Sequence, residues 1–280
     1  MNCETQDITG GIKFFERNQA LAKDGNTASA TTNDGAAIYL LTNNKYVRWE
    51  SVNSNDITTE VVTISFKNTR TIDRLLLTRH NLKQYQITYN GTNEFANVSN
   101  LDGDLVGGIA ETTYDKNTSY YKFDEVQVDS ITITMNTTQV ADAQKFITEL
   151  VATRELGTLA GFPRVRNMLH SRNLRGAKVL SGKNVLQPTY ETTSFRLGLS
   201  NYAVKNDVLL FDSIHEREQS LLVWLCGGRY GDEFFPTPQR GFNLEDLYSM
   251  KINRPLPANY ANGIYTNGAN GTLSFVEVVP

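Results

Sequence analysis

Val62, Ile64 and Phe66 alternate with Thr63, Ser65 and Lys67. That period of two predicts a strand with one buried face. Ile72 and the run Leu75-Leu76-Leu77 follow, a short continuous apolar stretch that suits a strand covered on both faces. Tyr85, Ile87 and Tyr89 alternate with Gln84, Gln86 and Thr88, and Asn90-Gly91 ends that strand with a turn signal. A polar stretch over about 90–119 reads as surface loop with room for one short strand. Val126 and Val128 are then out of phase with Ile131, Ile133 and Met135, so a bulge is expected at Asp129-Ser130. Phe146, Ile147, Leu150 and Val151 predict a last strand before a break.

That break is Gly157-Thr158-Leu159-Ala160-Gly161-Phe162-Pro163, which disfavours any regular element. It divides the chain into an expected first domain, 1–156, a linker, 157–163, and a second domain, 164–280. The second half opens on a basic run, Arg164, Arg166, His170, Arg172, Arg175 and Lys178. It reads as a solvated segment between domains or, alternatively, as a contact strip for an acidic neighbour. Phe195, Leu197 and Leu199 predict a strand, as do Met250 with Ile252 and Leu273 with Phe275. Between them, Ser213 and Glu216 fit a capping box. Ile214, Leu221, Trp224 and Leu225 recur at helical spacing and Gly227-Gly228 follow, which predicts one helix over 213–226. The fold class is therefore mainly β: an N-terminal jelly-roll β-sandwich and a C-terminal sandwich or barrel with one packed helix.

Composition narrows the function. The 280 residues carry a formal net charge of −3, with none of the basic surplus that phosphate neutralisation requires, so nucleic-acid recognition is set aside. No run approaches the roughly 18 apolar residues of a membrane span. The start lacks the basic and apolar regions of a secretory signal, and Cys3 and Cys226 are few and far apart. A reducing cytoplasm is expected, with neither a disulfide nor a zinc site.

Catalytic patterns are missing. His80, His170 and His215 are scattered, and no phosphate-cradling loop or Gly-x-Ser-x-Gly elbow occurs. Asp102, Asp104 and Glu111 supply oxygen ligands without the full calcium-loop pattern, which favours a solvated loop. No enzyme activity, cofactor or metal is expected. Aromatic faces suit the apolar face of a pyranose. Trp49 and Tyr89 read as core, whereas Tyr114, Tyr120 and Tyr121 flank a loop and are the candidate glycan contacts.

Several segments together resemble the discoidin or galactose-binding-like family. They are Tyr46-Val47-Arg48-Trp49-Glu50-Ser51, then Thr59 through Phe66, Thr71-Ile72-Asp73-Arg74-Leu75-Leu76-Leu77 and Asn81-Leu82-Lys83-Gln84-Tyr85-Gln86-Ile87-Thr88-Tyr89. Val128 through Ile133 and Phe146 through Leu150 look like its last strands, so the resemblance spans about 20–155. It implies a jelly-roll sandwich, with binding of sugars, lipids or proteins through loops at one end and no catalytic residues. The Asp73-Arg74 pair at the start of a buried strand is placed to clamp a loop. More loosely, the strand at Phe195–Leu199, the helix at Ser213–Cys226 and the strands near Met250 and Leu273 resemble tail proteins of long-tailed bacteriophages.

Together these resemblances imply a structural protein of a phage tail or tail tip, assembled in the host cytoplasm. The C-terminal domain would form a sixfold or threefold ring with itself and meet other tail proteins, using exposed strand edges and the loop Phe234–Asn243. The sandwich would sit at its periphery. The alternative is a carbohydrate-binding adhesion module that recognises a host cell-surface glycan.

Overall fold

A computed structural model describes residues 12–158 except 43, 45, 54, 101–104 and 106. Further on it describes 164–178, 184–202, 210, 213–214, 221–225, 247–252 and 269–277. The chain is mainly β and forms two compact units. One comprises residues 18–155; the other combines the segment before residue 18 with the chain from 156 onward.

The first unit holds β2 (Thr27–Ala30), β3 (Trp49–Glu50), β4 (Glu60–His80), β5 (Leu82–Tyr89), β6 (Ile109–Glu111), β7 (Ser119–Thr138) and β8 (Phe146–Thr153). They pair antiparallel in the order β3-β8-β4-β7-β5-β6, with β2 added to β4. The expected alternation is present: Val62, Ile64 and Phe66 are buried and Ser65 and Lys67 exposed. Leu75, Leu76 and Leu77 are all buried, as a doubly covered strand requires. Residues from both halves of β4 and β7 share one hydrophobic core with Trp49, Leu82, Ile87, Ile147 and Leu150. The long strands therefore bend around a single core as a β-sandwich.

The bend lies where the sequence changes phase. The β4–β7 ladder breaks between Ser65 and Arg70, whose partners Ser130 and Val128 flank Asp129. Asn90 plugs the gap. Its Oδ1 accepts from the N–H groups of Asp129 (2.7 Å) and Ser130 (3.1 Å), and its Nδ2 donates to the Gln127 carbonyl (3.1 Å). Asn90 and Gly91 both have positive φ, 46° and 91°, as the Asn-Gly turn signal implied.

The ends of the first unit are tied together. Asn18 is buried; its Nδ2 donates to the Leu150 carbonyl (3.0 Å) and its Oδ1 accepts from Ala152 N–H (3.1 Å). Arg74, almost wholly buried, ion-pairs with Glu155 and donates to the Asp73 carbonyl (2.9 Å). The Asp73 carboxylate accepts from Glu155 N–H (2.9 Å). The Asp73-Arg74 pair thus clamps the exit of the chain. Burial lifts the Asp73 carboxyl above the ordinary range despite the neighbouring guanidinium.

The second sheet runs β10-β11-β14-β13-β12-β1-β9. Its strands are β1 (Ile12–Phe15), β9 (Glu155–Thr158), β10 (Arg164–Lys178), β11 (Asn184–Tyr202), β12 (Leu221–Leu225), β13 (Leu247–Ile252) and β14 (Ala269–Glu277). Three sequence expectations change here. Domain 1–156 takes in a strand, β1, that pairs with β12 in the second sheet. Four residues are too few for periodicity to show their partner. The basic run is not a segment between domains but strand β10, paired with β11. Residues 157–158 of the expected linker complete β9, and 159–163 lie outside the described residues.

The helix over 213–226 is also corrected. Leu210, Ser213 and Ile214 are helical, but Leu221–Leu225 is a strand between β1 and β13. Five consecutive apolar residues satisfy a helical stripe and a doubly covered strand alike. Ser213 is not a cap: its hydroxyl donates back to the Leu210 carbonyl at 2.9 Å. Glu216, Cys3, Cys226 and the loop Phe234–Asn243 lie outside the described residues.

Phe14 is fully buried, 6.0 Å from Phe275 between ring centroids. Phe14→Ala is expected to cost about 3–5 kcal/mol in the second unit. Hydrogen exchange read by mass spectrometry should then quicken in 221–225 and 269–277 and stay unchanged in 60–80. Equal quickening in 60–80 would refute the placement of β1.

Candidate functional site

The three tyrosines expected at a glycan are in the interior. Tyr114, Tyr120 and Tyr121 are 5%, 2% and 0% exposed, and rings so covered present no face to a sugar. Register explains it. Leu75 pairs with Tyr121 and Leu76 with Tyr120, so adjacent tyrosines point to opposite faces of a strand covered on both. Tyr120 Oη accepts from Arg74 Nε at 2.8 Å. Tyr114 donates to the Thr118 carbonyl (2.6 Å) and packs its ring 5.6 Å from His80.

Tyr121 belongs to a buried chain of hydrogen bonds whose direction its ends dictate. Leu82 N–H donates to His80 Nδ1 at 3.2 Å, which places the imidazole proton on Nε2. His80 Nε2 donates to Ser119 Oγ (2.6 Å), Ser119 to Tyr85 Oη (2.7 Å), Tyr85 to Tyr121 Oη (2.5 Å) and Tyr121 to Glu111 Oε1 (3.1 Å). Asn100 Nδ2 also donates to that oxygen, at 3.0 Å. Burial pushes the His80 imidazole down to about 3 and lifts the Tyr85 and Tyr121 phenols well above the usual value. Every hydroxyl donates once and accepts once, so the chain is a satisfied core network. Glu111 is engaged here, and Asp102 and Asp104, grouped with it in the sequence as a solvated acidic loop, lie outside the described residues. Among the described residues no group of three His, Cys, Asp or Glu is placed to hold a metal ion.

An outward-facing cluster on the sandwich edge has different chemistry. Trp49 is 0% exposed, and its Nε1 donates to the Thr32 carbonyl at 3.1 Å. With Trp49 inward, strand alternation turns Arg48 and Glu50 outward. Arg48 Nε and Nη2 both donate to Glu50 Oε2, at 3.1 and 2.9 Å. Glu50 pairs with Phe146 across β3 and β8, which brings the Arg48 guanidinium 4.1 Å above the centre of the half-buried Phe146 ring. Two residues before Arg48, Tyr46 is 96% exposed. Its backbone is set by a turn in which Asn44 Oδ1 accepts from Tyr46 N–H at 3.0 Å.

The segment that carries this face is braced. Ser51 N–H donates to the Lys145 carbonyl (2.8 Å), and Asn33 Nδ2 to the Glu50 carbonyl (2.9 Å). The fully buried Lys145 ammonium donates to the carbonyls of Asn55 (2.7 Å) and Thr58 (3.0 Å). Asp56 Oδ1 accepts from the N–H and hydroxyl of Thr138, both at 2.9 Å. Burial works against the Asp56 carboxylate, but the Thr138 and Asp142 donors and the Lys145 charge outweigh it and hold the group below its usual value.

No protein-family model matches the chain. No curated protein matches it either. Solved structures similar to it cover its sandwich-sized half. Chitosan-binding module 1 from a chitosanase/glucanase of Paenibacillus sp. IK-5 is 16% identical over 49% of this chain and 98% of its own, with a TM-score of 0.38. The family 32 carbohydrate-binding module of NanJ from C. perfringens, solved with galactose, is 18% identical over 51% and 98%, with a TM-score of 0.37. A further C. perfringens module of that kind, solved with GalNAc-β-1,3-galactose, is 14% identical over 47% and 97%, with a TM-score of 0.35.

Acid will weaken the sandwich through His80. Its folded pKa of about 3 lies below the ordinary 6.5, so between those values the unfolded chain takes up a proton that the folded chain refuses. Stability is complete above pH 6.5 and falls by about 1.4 kcal/mol per unit as the pH drops toward 3. Urea unfolding from pH 7 to pH 4 should show this slope, and His80→Gln should flatten it while lowering stability at pH 7. Identical slopes in the two proteins would exclude His80 as the source.

Proposed function

We propose that the chain is a non-catalytic carbohydrate-binding protein that holds a glycan against the face formed by Tyr46, Arg48, Glu50 and Phe146. The observation that carries this reading is the Tyr46 ring, 96% exposed, two residues from a surface Arg–Glu pair. An exposed aromatic ring stacks on the apolar face of a pyranose. The rim of the sugar then needs donors and acceptors at fixed positions. Arg48 supplies N–H donors and Glu50 a carboxylate acceptor. Their two hydrogen bonds and the Phe146 ring beneath Arg48 hold both groups in place before any ligand arrives. Little side-chain freedom is then lost on binding.

This is the carbohydrate-binding alternative of the sequence reading, moved from the buried tyrosines to another face. Of the helix that the tail-protein reading drew on, residues 213–214 are helical and 221–225 are strand.

The test is a glycan array on the full chain, followed by calorimetry with the best sugar. Binding without chemical change of the sugar is expected. Tyr46→Ala and Arg48→Ala should each weaken it roughly tenfold or more, about 1.4 kcal/mol, with melting unchanged. No glycan bound, or the same affinity in both variants, would refute the proposal.

A further inference from the structure

Strands β10 and β11 pair from Arg164↔Gly198 to Lys178↔Asn184, whereas β11 pairs with β14 only along Ser194–Tyr202. Residues 184–193 of β11 therefore have β10 as their one strand neighbour among the described residues, and β10 lies at the sheet edge. The outer part of the hairpin is a two-stranded ribbon that runs past the sheet. Such a ribbon is marginal in water by itself and leaves a row of backbone donors and acceptors open on each side. Pro188 agrees with this: it stands in β11 opposite Leu174. A proline cannot donate to a ladder and belongs where no further strand follows.

Charge identifies the partner. Arg164, Arg166, Arg172, Arg175, Lys178 and Arg196 stand in the two strands against Glu191 alone, while the whole chain is at −3. The hairpin is thus basic and the remainder of the same chain acidic; in its outer part Arg172, Arg175 and Lys178 stand against Glu191, which pairs with Arg172, so Arg175 and Lys178 face no acidic partner across the ladder. We propose that residues 172–178 with 184–191 form an arm that docks on an acidic surface of a second copy of this chain. Arm against arm would set basic residues beside basic residues, which favours arm against body. Reciprocated between two copies, that contact closes a two-fold dimer; unreciprocated, it propagates into a closed ring or an open filament. It is separate from the Tyr46 face, so either proposal can fail alone.

Nuclease treatment of the whole chain, then light scattering after gel filtration, should show a mass of two or more 31.4 kDa chains at low salt. That mass should fall toward one chain in high salt, as screening weakens exposed charge pairs. The triple variant R172E/R175E/K178E should be a single chain at low salt with an unchanged far-ultraviolet circular dichroism spectrum. A second variant guards against misfolding: an Asn-Gly turn replaces residues 172–191 between Ser171 and Thr192, which already pair. It should also be a single chain. A monomeric wild type at low salt and tens of micromolar protein would overturn the proposal. So would a salt-insensitive dimer, an assembly unchanged in both variants, or an assembly that disappears on nuclease treatment, which would mark the arm as a nucleic-acid contact.

Discussion

Strands β4 and β7 run side by side for most of their length, and the sandwich depends on the longer of the two places where that pairing lapses in β4. Two flat strands of 21 and 20 residues would present their apolar faces along a plane and enclose nothing. The lapse between Ser65 and Arg70, opposite Asp129, lets the sheet turn so that Ile64 and Ile72, from different halves of one strand, reach the same core. The cost of such a lapse is unpaired backbone, and Asn90 removes much of it by accepting from two N–H groups of β7. Asn90 can do so because it sits in a left-handed turn with Gly91, a conformation Asn tolerates better than most residues. A turn signal between two strands is thus also the plug at the bend.

Much of this was legible in the residues. The phase change from Val128 to Ile131 placed the bend, and the alternations at 62–66 and 85–89 gave the buried faces, because a strand with one wet side must alternate. The edges of the second unit were less legible. Ile12–Phe15 is short, and its partner Leu225 lies too far along the chain for any local pattern to report. Leu221–Leu225 is apolar at every position, so it satisfied the helical reading until its neighbours on both sides were known.

The tyrosines show why an aromatic near a loop is weak evidence for a site. Tyr120 and Tyr121 flank a polar stretch, yet consecutive residues of a strand face opposite ways, and both faces of this one are covered. Polarity nearby says nothing about coverage. The residues around Trp49 carry a different signal. Once Trp49 is taken as core, its strand neighbours Arg48 and Glu50 face outward, while Tyr46 lies in the turn before them. A turn places an aromatic residue outside the alternation that buried Tyr120 and Tyr121.

The path of the chain also joins the two units thermodynamically. β1 and β9 are neighbours in the second sheet, yet residues 16–154 separate them. Bringing the ends of so long a segment together from the unfolded chain carries a loop-closure cost that grows with the logarithm of its length. The sandwich meets that cost by folding, because its two ends are already fastened to each other. Asn18 bonds to the backbone of Leu150 and Ala152, Gln19 N–H donates to the Ala152 carbonyl at 2.8 Å, and Arg74 holds Glu155. A folded first unit therefore delivers β1 and β9 close together. The reverse order would have to close the same segment with no core yet formed to offset it. The buried Asn18 and the Arg74–Glu155 pair thus fasten the two ends of the first unit, from which β1 and β9 set out.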